Sequence, residues 1–269
     1  MIIGKAISPF ALRKKNGGGG NDADAQAFIT ATGISGTNAT ATNQLVIDLK
    51  AANIWTKMKA VYPFVGNTSA SQKYNLKDPR DLDAAFRLAF IGGGTFSANG
   101  YSPGGVNGYA NTFFIPSVNS TGINNFHNSY YSRTNVNLVQ VDTGCGSSDL
   151  QGTLLEIRTA NITYIRINAA TTSSYADTDS LGLYTQSRLL GNQQKGYKNS
   201  LLKITGTVNS NTTPAQNFII GAYNSNGVAA YYSSKQCAFA SIGDGLTDAE
   251  ALALYNAVQT FNTTLARQV

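Results

Sequence analysis

The sequence is poor in the residues that carry acid–base, thiol and metal chemistry. It has one histidine, His127, two cysteines, Cys145 and Cys237, and two glutamates, Glu156 and Glu250. A single imidazole cannot build a multi-histidine metal centre, and no C-x-x-C pair is present to hold zinc. Two cysteines make no disulfide framework; they are either buried small apolar side chains or one bridge. No serine lies in G-x-S-x-G, the pattern of a nucleophile elbow. His127, inside Phe126-His127-Asn128-Ser129-Tyr130, is therefore expected to be structural. The glycines at 17–20 are not followed by Gly-Lys-Ser/Thr, which excludes a phosphate-cradling P-loop. Charged residues reach only 13%, against a usual ~25%. No apolar run approaches the roughly 18 residues of a membrane-spanning helix, and the opening Met1-Ile2-Ile3-Gly4-Lys5-Ala6-Ile7 is too short for the apolar region of a signal peptide.

What remains is a chain rich in Asn, Thr, Ser, Gly and Tyr, with 42% hydrophobic residues to form a core. Net charge is +6 and the pI near 9.2, a mild preference for anionic partners. Outside Arg13-Lys14-Lys15 the basic residues are scattered, with no stripe of interleaved bases and aromatics, so no nucleic-acid partner is expected.

Residues 1–20 read as an arm. Ile2, Ile3, Ile7, Phe10 and Leu12 precede Arg13, Lys14 and Lys15, and four consecutive glycines follow as a flexible linker. The arm is expected to bind a partner through those eight residues; the alternative is a frayed terminus. Residues 21–269 read as the globular body. The body opens with a helix over 22–33, acidic in its first turn and stopped by Gly33. A second helix is expected over 42–53, its stripe being Leu45, Val46, Leu49, Ala52 and Trp55. After Trp55 the period changes to a strand, with Met58, Ala60, Tyr62 and Phe64 on one mostly apolar face.

Short strands separated by turn clusters follow, near 86–90, 110–115, 129–132, 138–141, 154–157, 164–167, 181–184, 197–203, 218–222 and 236–243. That spacing favours a sandwich or barrel over a parallel α/β sheet. Asn224-Ser225-Asn226-Gly227 is a turn signal. At the end, Thr247 and Glu250 have capping-box spacing, and Ala251, Leu254, Tyr255, Val258, Phe261 and Leu265 fall on one face of a helix over 248–265. A capped amphipathic helix after strands needs a sheet to close on.

The order Tyr197-Lys198-Asn199-Ser200-Leu201-Leu202, Phe218-Ile219-Ile220-Gly221-Ala222, Ala240-Ser241-Ile242-Gly243-Asp244 and Leu246-Thr247-Asp248-Ala249-Glu250 resembles the closing part of concanavalin A-like (laminin G-like) jelly-roll domains. Upstream, Ile54-Trp55-Thr56-Lys57-Met58-Lys59-Ala60-Val61-Tyr62-Pro63-Phe64 and Asn75-Leu76-Lys77-Asp78-Pro79-Arg80-Asp81-Leu82-Asp83-Ala84-Ala85-Phe86 resemble segments of such domains in virion proteins of tailed bacteriophages. The resemblance covers about residues 22–269. It implies a mainly β fold, an antiparallel jelly-roll sandwich with short N-terminal helices and a C-terminal helix. It also implies a non-enzymatic virion structural protein of decoration or fibre type, a homo-oligomer whose partners are other virion proteins. The same superfold hosts lectins and glucanases, so a carbohydrate-binding adhesin recognising surface glycans is the alternative.

Each implied chemistry meets the residues. Glucanases of this fold set their carboxylates in E-x-D-x-x-E, but Glu156 is followed by Arg158 where the aspartate belongs, and Glu250 is used by the capping box. No catalytic residue and no cofactor is expected. The one cation to test is Ca2+, because Asp177-Thr178-Asp179-Ser180-Leu181-Gly182 carries D-x-D-x-x-G without an acid at position twelve. Sugar binding needs exposed rings, and Tyr101, Tyr109, Tyr131 and Tyr232 are the candidates. Of each adjacent pair, Tyr130/Tyr131 and Tyr231/Tyr232, one ring should face outward if both lie in strands.

Deleting residues 1–20 is expected to leave a folded, soluble body that no longer joins its assembly. Incorporation of the truncated body at full occupancy would place attachment on the sandwich surface instead.

Overall fold

The structure is a computed structural model that describes residues 20–148 and 151–269. The expected arm residues Ile2 to Lys15 lie outside the described residues. The first helix, Ala23–Thr32, is set at both ends by sequence. Asp22 Oδ1 accepts from the Asp24 backbone N at 3.0 Å, and Gly33 closes the helix at φ +69°, its N–H donating to Ile29 O. The second helix, Gly36–Ala51, starts six residues before the expected 42. No side chain caps it, and its first turns are Gly, Thr and Asn. Packing rather than propensity holds them helical: Ala41 and Thr42 are buried.

Among the described residues the strands form two sheets of eight and nine. The first runs Leu201–Gly206, Gln193–Lys198, Gly182–Leu190, Phe126–Ser132, Cys237–Gly243, Gly100–Ser102, Thr95–Ser97, with Met58–Tyr62 also paired to Cys237–Gly243. The second runs Ser173–Ala176, Ile162–Ala169, Gln151–Thr159, Thr143–Ser148, Ile219–Ile220, Tyr109–Asn111, Ala89–Ile91. All pairings are antiparallel except that of Tyr223–Ser225 with Thr143–Ser148. The expected jelly-roll-like sandwich is the fold.

Its interior core includes Tyr62, Phe64, Tyr101, Tyr130, Leu155, Ile165, Phe218 and Ile242. A second core lies on the far side of the eight-stranded sheet, where the helices pack Phe28, Leu45, Val46, Leu49, Leu254, Val258 and Phe261 against Met58, Val61, Tyr131 and Phe239. The strand Met58–Tyr62 is thus buried on both faces, not on the single face its alternation suggests. The last helix, Asp248–Thr264, has the expected capping box: Glu250 N donates to Thr247 Oγ1 at 3.3 Å, and Thr247 N to Glu250 Oε2 at 2.8 Å. Lys57 Nζ, 2.7 Å from the Glu250 carboxylate, ties that cap to the sheet. On its buried face Ala257 and Asn262 join Ala251, Leu254, Val258 and Phe261, while Tyr255 and Leu265 are only partly covered.

Three strand expectations fail, one through a distant contact and two for local reasons. Residues 138–141 are not a strand; the strand is Thr143–Ser148, which runs through the glycines that look like a turn. Those glycines admit the Tyr223 ring, since a Cβ at Gly146 would lie 2.0 Å from Tyr223 Oη. Residues 197–203 are two strands, reversed where Asn199 takes φ +54°. Residues 86–90 shift to Ala89–Ile91 because Phe86, at φ +59°, ends a 3-10 turn. The Asn/Gly turn does appear, as the hairpin Tyr223–Ser225/Val228–Ala230 with Asn226 and Gly227 both at positive φ. Cys145 and Cys237 are free and buried.

Leu254 is 0% exposed between the helices and the sheet. Leu254→Asp is expected to destabilise the fold by about 3–5 kcal/mol, the range for an uncompensated buried charge. An unchanged midpoint in urea would mean that the last helix is not docked.

Candidate functional site

The helices cover one sheet, so the outward face of the other is where strand side chains meet solvent. Alternation sets which ones. Ala110 and Ile220 are paired and enter the interior core, which turns Tyr109, Asn111 and Ile219 outward. Likewise Leu155 and Ile157 go inward, and Leu154 and Glu156 go outward.

The hairpin Tyr223–Ser225/Val228–Ala230 belongs to this sheet, pairing with Thr143–Ser148, and contributes to two hollows. The larger, about 390 Å3, is lined by Tyr109, Asn111, Gln216, Asn217, Asn224 and Gly227 together with Ile115, Ala215, Ile219 and Ala229. None of these residues is charged. Asn224 is used structurally: its amide donates to Asn217 O at 2.9 Å and its carbonyl accepts Gly227 N at 2.9 Å. Asn111 Oδ1 accepts Phe113 N at 3.0 Å, which leaves the amide N–H groups of Asn111 as donors. Gln216 Oε1 is buried without a hydrogen-bond partner among the described residues. The arrangement suits a neutral, hydroxyl-rich ligand. The smaller hollow, about 210 Å3, is lined by Val139, Val141, Leu154, Glu156, Tyr223 and Tyr231.

The loop beyond the hairpin is pinned from below. Asp142, fully buried, accepts from Ile157 N at 2.8 Å and from Ser233 Oγ at 2.6 Å, with Lys235 Nζ at 3.5 Å. At 3.5 Å the lysine attracts through space rather than by a hydrogen bond. Burial raises the Asp142 carboxyl above its ordinary range, against the pull of Lys235. Ser233 N also donates to Gly221 O, and Val141 N to Tyr231 O.

Of the four candidate tyrosines, the structure brings two together. Tyr109 and Tyr232 are half-buried, their rings 6.3 Å apart and tilted by 42°. Tyr101 is instead a core residue, 4.8 Å from the Phe90 ring and 5.4 Å from Phe96. Tyr131 is buried beneath the last helix and donates to Gln259 Oε1 at 3.0 Å. The pair Tyr130/Tyr131 does point to opposite faces, but both faces are covered. Tyr231, 44% exposed, lies just past the hairpin at φ +54°. The amides Asn111, Gln216 and Asn217 escape sequence reasoning because Asn and Gln are common throughout; only the two-residue step from Tyr109 to Asn111 would have marked one of them.

The other candidate chemistries are occupied by structure. In the D-x-D-x-x-G loop, Lys198 Nζ donates to Asp177 Oδ1 at 2.6 Å, Asp179 O at 2.8 Å and Asp179 Oδ1 at 3.0 Å. The ammonium group takes the oxygens a calcium ion would need. Among the described residues no cluster of three His, Cys, Asp or Glu could hold a metal. His127 Nδ1 lies 2.5 Å from Asp244 O and Nε2 3.2 Å from Ser241 Oγ. The contact resembles a catalytic pair, but His127 and Ser241 are buried, and a substrate has no path to them.

No protein-family model and no curated protein sequence matches the chain. Solved structures do match. Domain 4 of AbnA, a GH43 extracellular arabinanase from Geobacillus stearothermophilus in complex with arabinotriose, aligns with a TM-score of 0.50 at 13% identity, over 74% of this chain and 98% of that one. A Trypanosoma rangeli sialidase gives 0.51 at 12% identity over 81% of this chain; the chain spans only 39% of that enzyme. The CBM40 of the Ruminococcus gnavus IT-sialidase gives 0.39 at 16% identity, over 51% and 84%. At such identities the first two establish a shared sandwich fold, and the third carries no argument.

Burial pulls the His127 imidazole down to about 4, its hydrogen bond to the Asp244 carbonyl opposing this only in part. The unfolded chain therefore takes up this proton first as pH falls from its ordinary 6.5. Stability from a neutral His127 is full above pH 6.5 and is lost down to about pH 4, a loss of about 3 kcal/mol at ~1.4 kcal/mol per unit. Urea unfolding across this window should show a flatter profile for His127→Asn than for wild type; parallel profiles would mean that His127 takes up its proton in the fold as readily as in the unfolded chain.

Proposed function

We propose that this chain is a non-catalytic carbohydrate-binding module, and that the amide-lined hollow beside Tyr109 takes a neutral oligosaccharide. The observation that carries the reading is the composition of that hollow. It has no charged side chain, a half-buried tyrosine and unspent amide donors on Asn111. Sugars are bound by such sets, a ring for their C–H faces and neutral amides for their hydroxyls. Its volume of about 390 Å3 falls in the range of small-molecule sites. The sandwich shared with the arabinotriose-bound arabinanase domain supports the reading at the level of fold.

The virion setting rests on the motif resemblance alone. A glycan-binding sandwich carried on a particle by an N-terminal arm would serve as its adhesin, with virion proteins and further copies of itself as neighbours.

Probed against an array of neutral oligosaccharides that includes arabinan fragments, the protein should bind at least one. Tyr109→Ala and Asn111→Ala should each then weaken binding by about tenfold, equivalent to ~1.4 kcal/mol, at temperatures where each variant is still folded. An empty array, or binding indifferent to both substitutions, would remove this site from consideration.

A further inference from the structure

The smaller hollow differs chemically from its neighbour. Val139, Val141, Leu154 and the Tyr223 and Tyr231 rings make its walls apolar and aromatic, and Glu156 is the one charged residue in its lining. Glu156 stands there because the strand Gln151–Thr159 alternates, sending Leu155 and Ile157 into the core. Its state is unusual for this protein. In a chain with six more basic than acidic groups, Asp22, Asp142, Asp177, Asp248 and Glu250 each hold a lysine within 3.5 Å. Among the described residues Glu156 has no ion-pair partner; the hydroxyl of nearby Thr159 donates to Leu138 O, Asp142 repels the carboxylate, and Lys235 and Arg166 attract it only at longer range. A partly buried carboxylate without a counter-ion is disfavoured, and burial raises its proton affinity.

Two further observations mark the hollow as a site. Tyr231 lies on its wall 44% exposed, held at φ +54°, a conformation that bulky residues avoid unless the surroundings impose it. Val139, 68% exposed, is an apolar side chain at the rim. A neutral sugar fits poorly here, because one carboxylate cannot satisfy several hydroxyls and valine and leucine satisfy none. A cation with carbon substituents fits every wall at once: its charge meets the carboxylate, its C–H groups meet the aliphatic side chains, and tyrosine rings attract cations over their faces.

We propose that this hollow binds a small organic cation, an ammonium group bearing carbon substituents, with Glu156 as counter-ion and Tyr231 as the aromatic wall. Such a group occurs as a quaternary ammonium head of the choline type or as the protonated amine of an amino sugar. The inference is independent of the glycan reading, since it uses different residues.

The test is isothermal titration of the full chain with tetramethylammonium, choline and glucosamine, beside uncharged counterparts, the carbon isostere of choline and glucose. The charged ligand of at least one pair should bind about tenfold more tightly than its neutral counterpart, the effect of ~1.4 kcal/mol. A preference within the choline pair assigns the site to quaternary ammonium groups, and one within the glucosamine pair to amino sugars. Glu156→Gln should abolish the preference while keeping or raising the melting temperature, because it removes a buried charge. Tyr231→Ala, at an exposed position, should weaken the cation several-fold and decides the matter if the first variant does not fold. Asn111→Ala should leave cation binding intact, so this site and the amide hollow fail or stand separately. Equal binding of charged and neutral ligands, no binding at all, or a preference that survives both Glu156→Gln and Tyr231→Ala would overturn the proposal.

Discussion

Burial of the eight-stranded sheet on both faces is the constraint from which the rest of the molecule follows. Strands such as Met58–Tyr62 and Phe126–Ser132 carry apolar or aromatic side chains on alternate faces, so neither face is left to water. The second sheet covers one face and the helices the other. Removing apolar surface from water at roughly 25 cal/mol per Å2 drives both layers onto the same sheet. Arg267 closes the assembly at the chain's far end. Its guanidinium donates to Pro63 O, Phe64 O, Ala98 O and Ala238 O and to Asn262 Oδ1, which joins the segment after the last helix to the sandwich rim. Burial pulls this arginine down to about 9, and five fixed acceptors offset the desolvation.

With the helices committed to one side, the outward face of the nine-stranded sheet is left without a covering helix layer. The hairpin after Ala222 gives that face relief, and the buried Asp142 gives it a fixed position by gripping Ser233 and Ile157 from below. A buried ionised pair is a weak source of net stability. Here its consequence is placement: Tyr231 lines the hollow that holds Glu156, and the Tyr232 ring stands against Tyr109.

The groups that look catalytic serve the fold. Lys198 neutralises the paired aspartates of the D-x-D loop, His127 bridges Asp244 and Ser241 under the helix layer, and Glu250 closes a helix cap and holds Lys57. Each is an ordinary way for an Asn/Thr-rich sandwich with few charges to satisfy its buried polar atoms.

By itself the sequence determined the elements whose signals are local. The Asp22 cap and Gly33 stop, the Thr247/Glu250 box, the Asn226-Gly227 turn and the alternating strands of a sandwich follow from hydrogen bonds and periodicities within a few residues. It also showed which chemistries lacked residues. Only the tertiary structure decided what depends on distant neighbours. That Tyr101 and Tyr131 are buried while Tyr109 and Tyr232 meet at the surface depends on which sheet face another layer covers. That residues 138–141 leave the sheet and the glycines 144 and 146 enter it depends on a tyrosine almost eighty residues later lying across them. Asn111, Gln216 and Asn217 come from separate strands and loops, and whether an acid such as Glu156 has a cation beside it is set by residues distant in sequence. Local periodicity tells a side chain which way to point; what it meets there is set by chain segments that pair across a hundred residues.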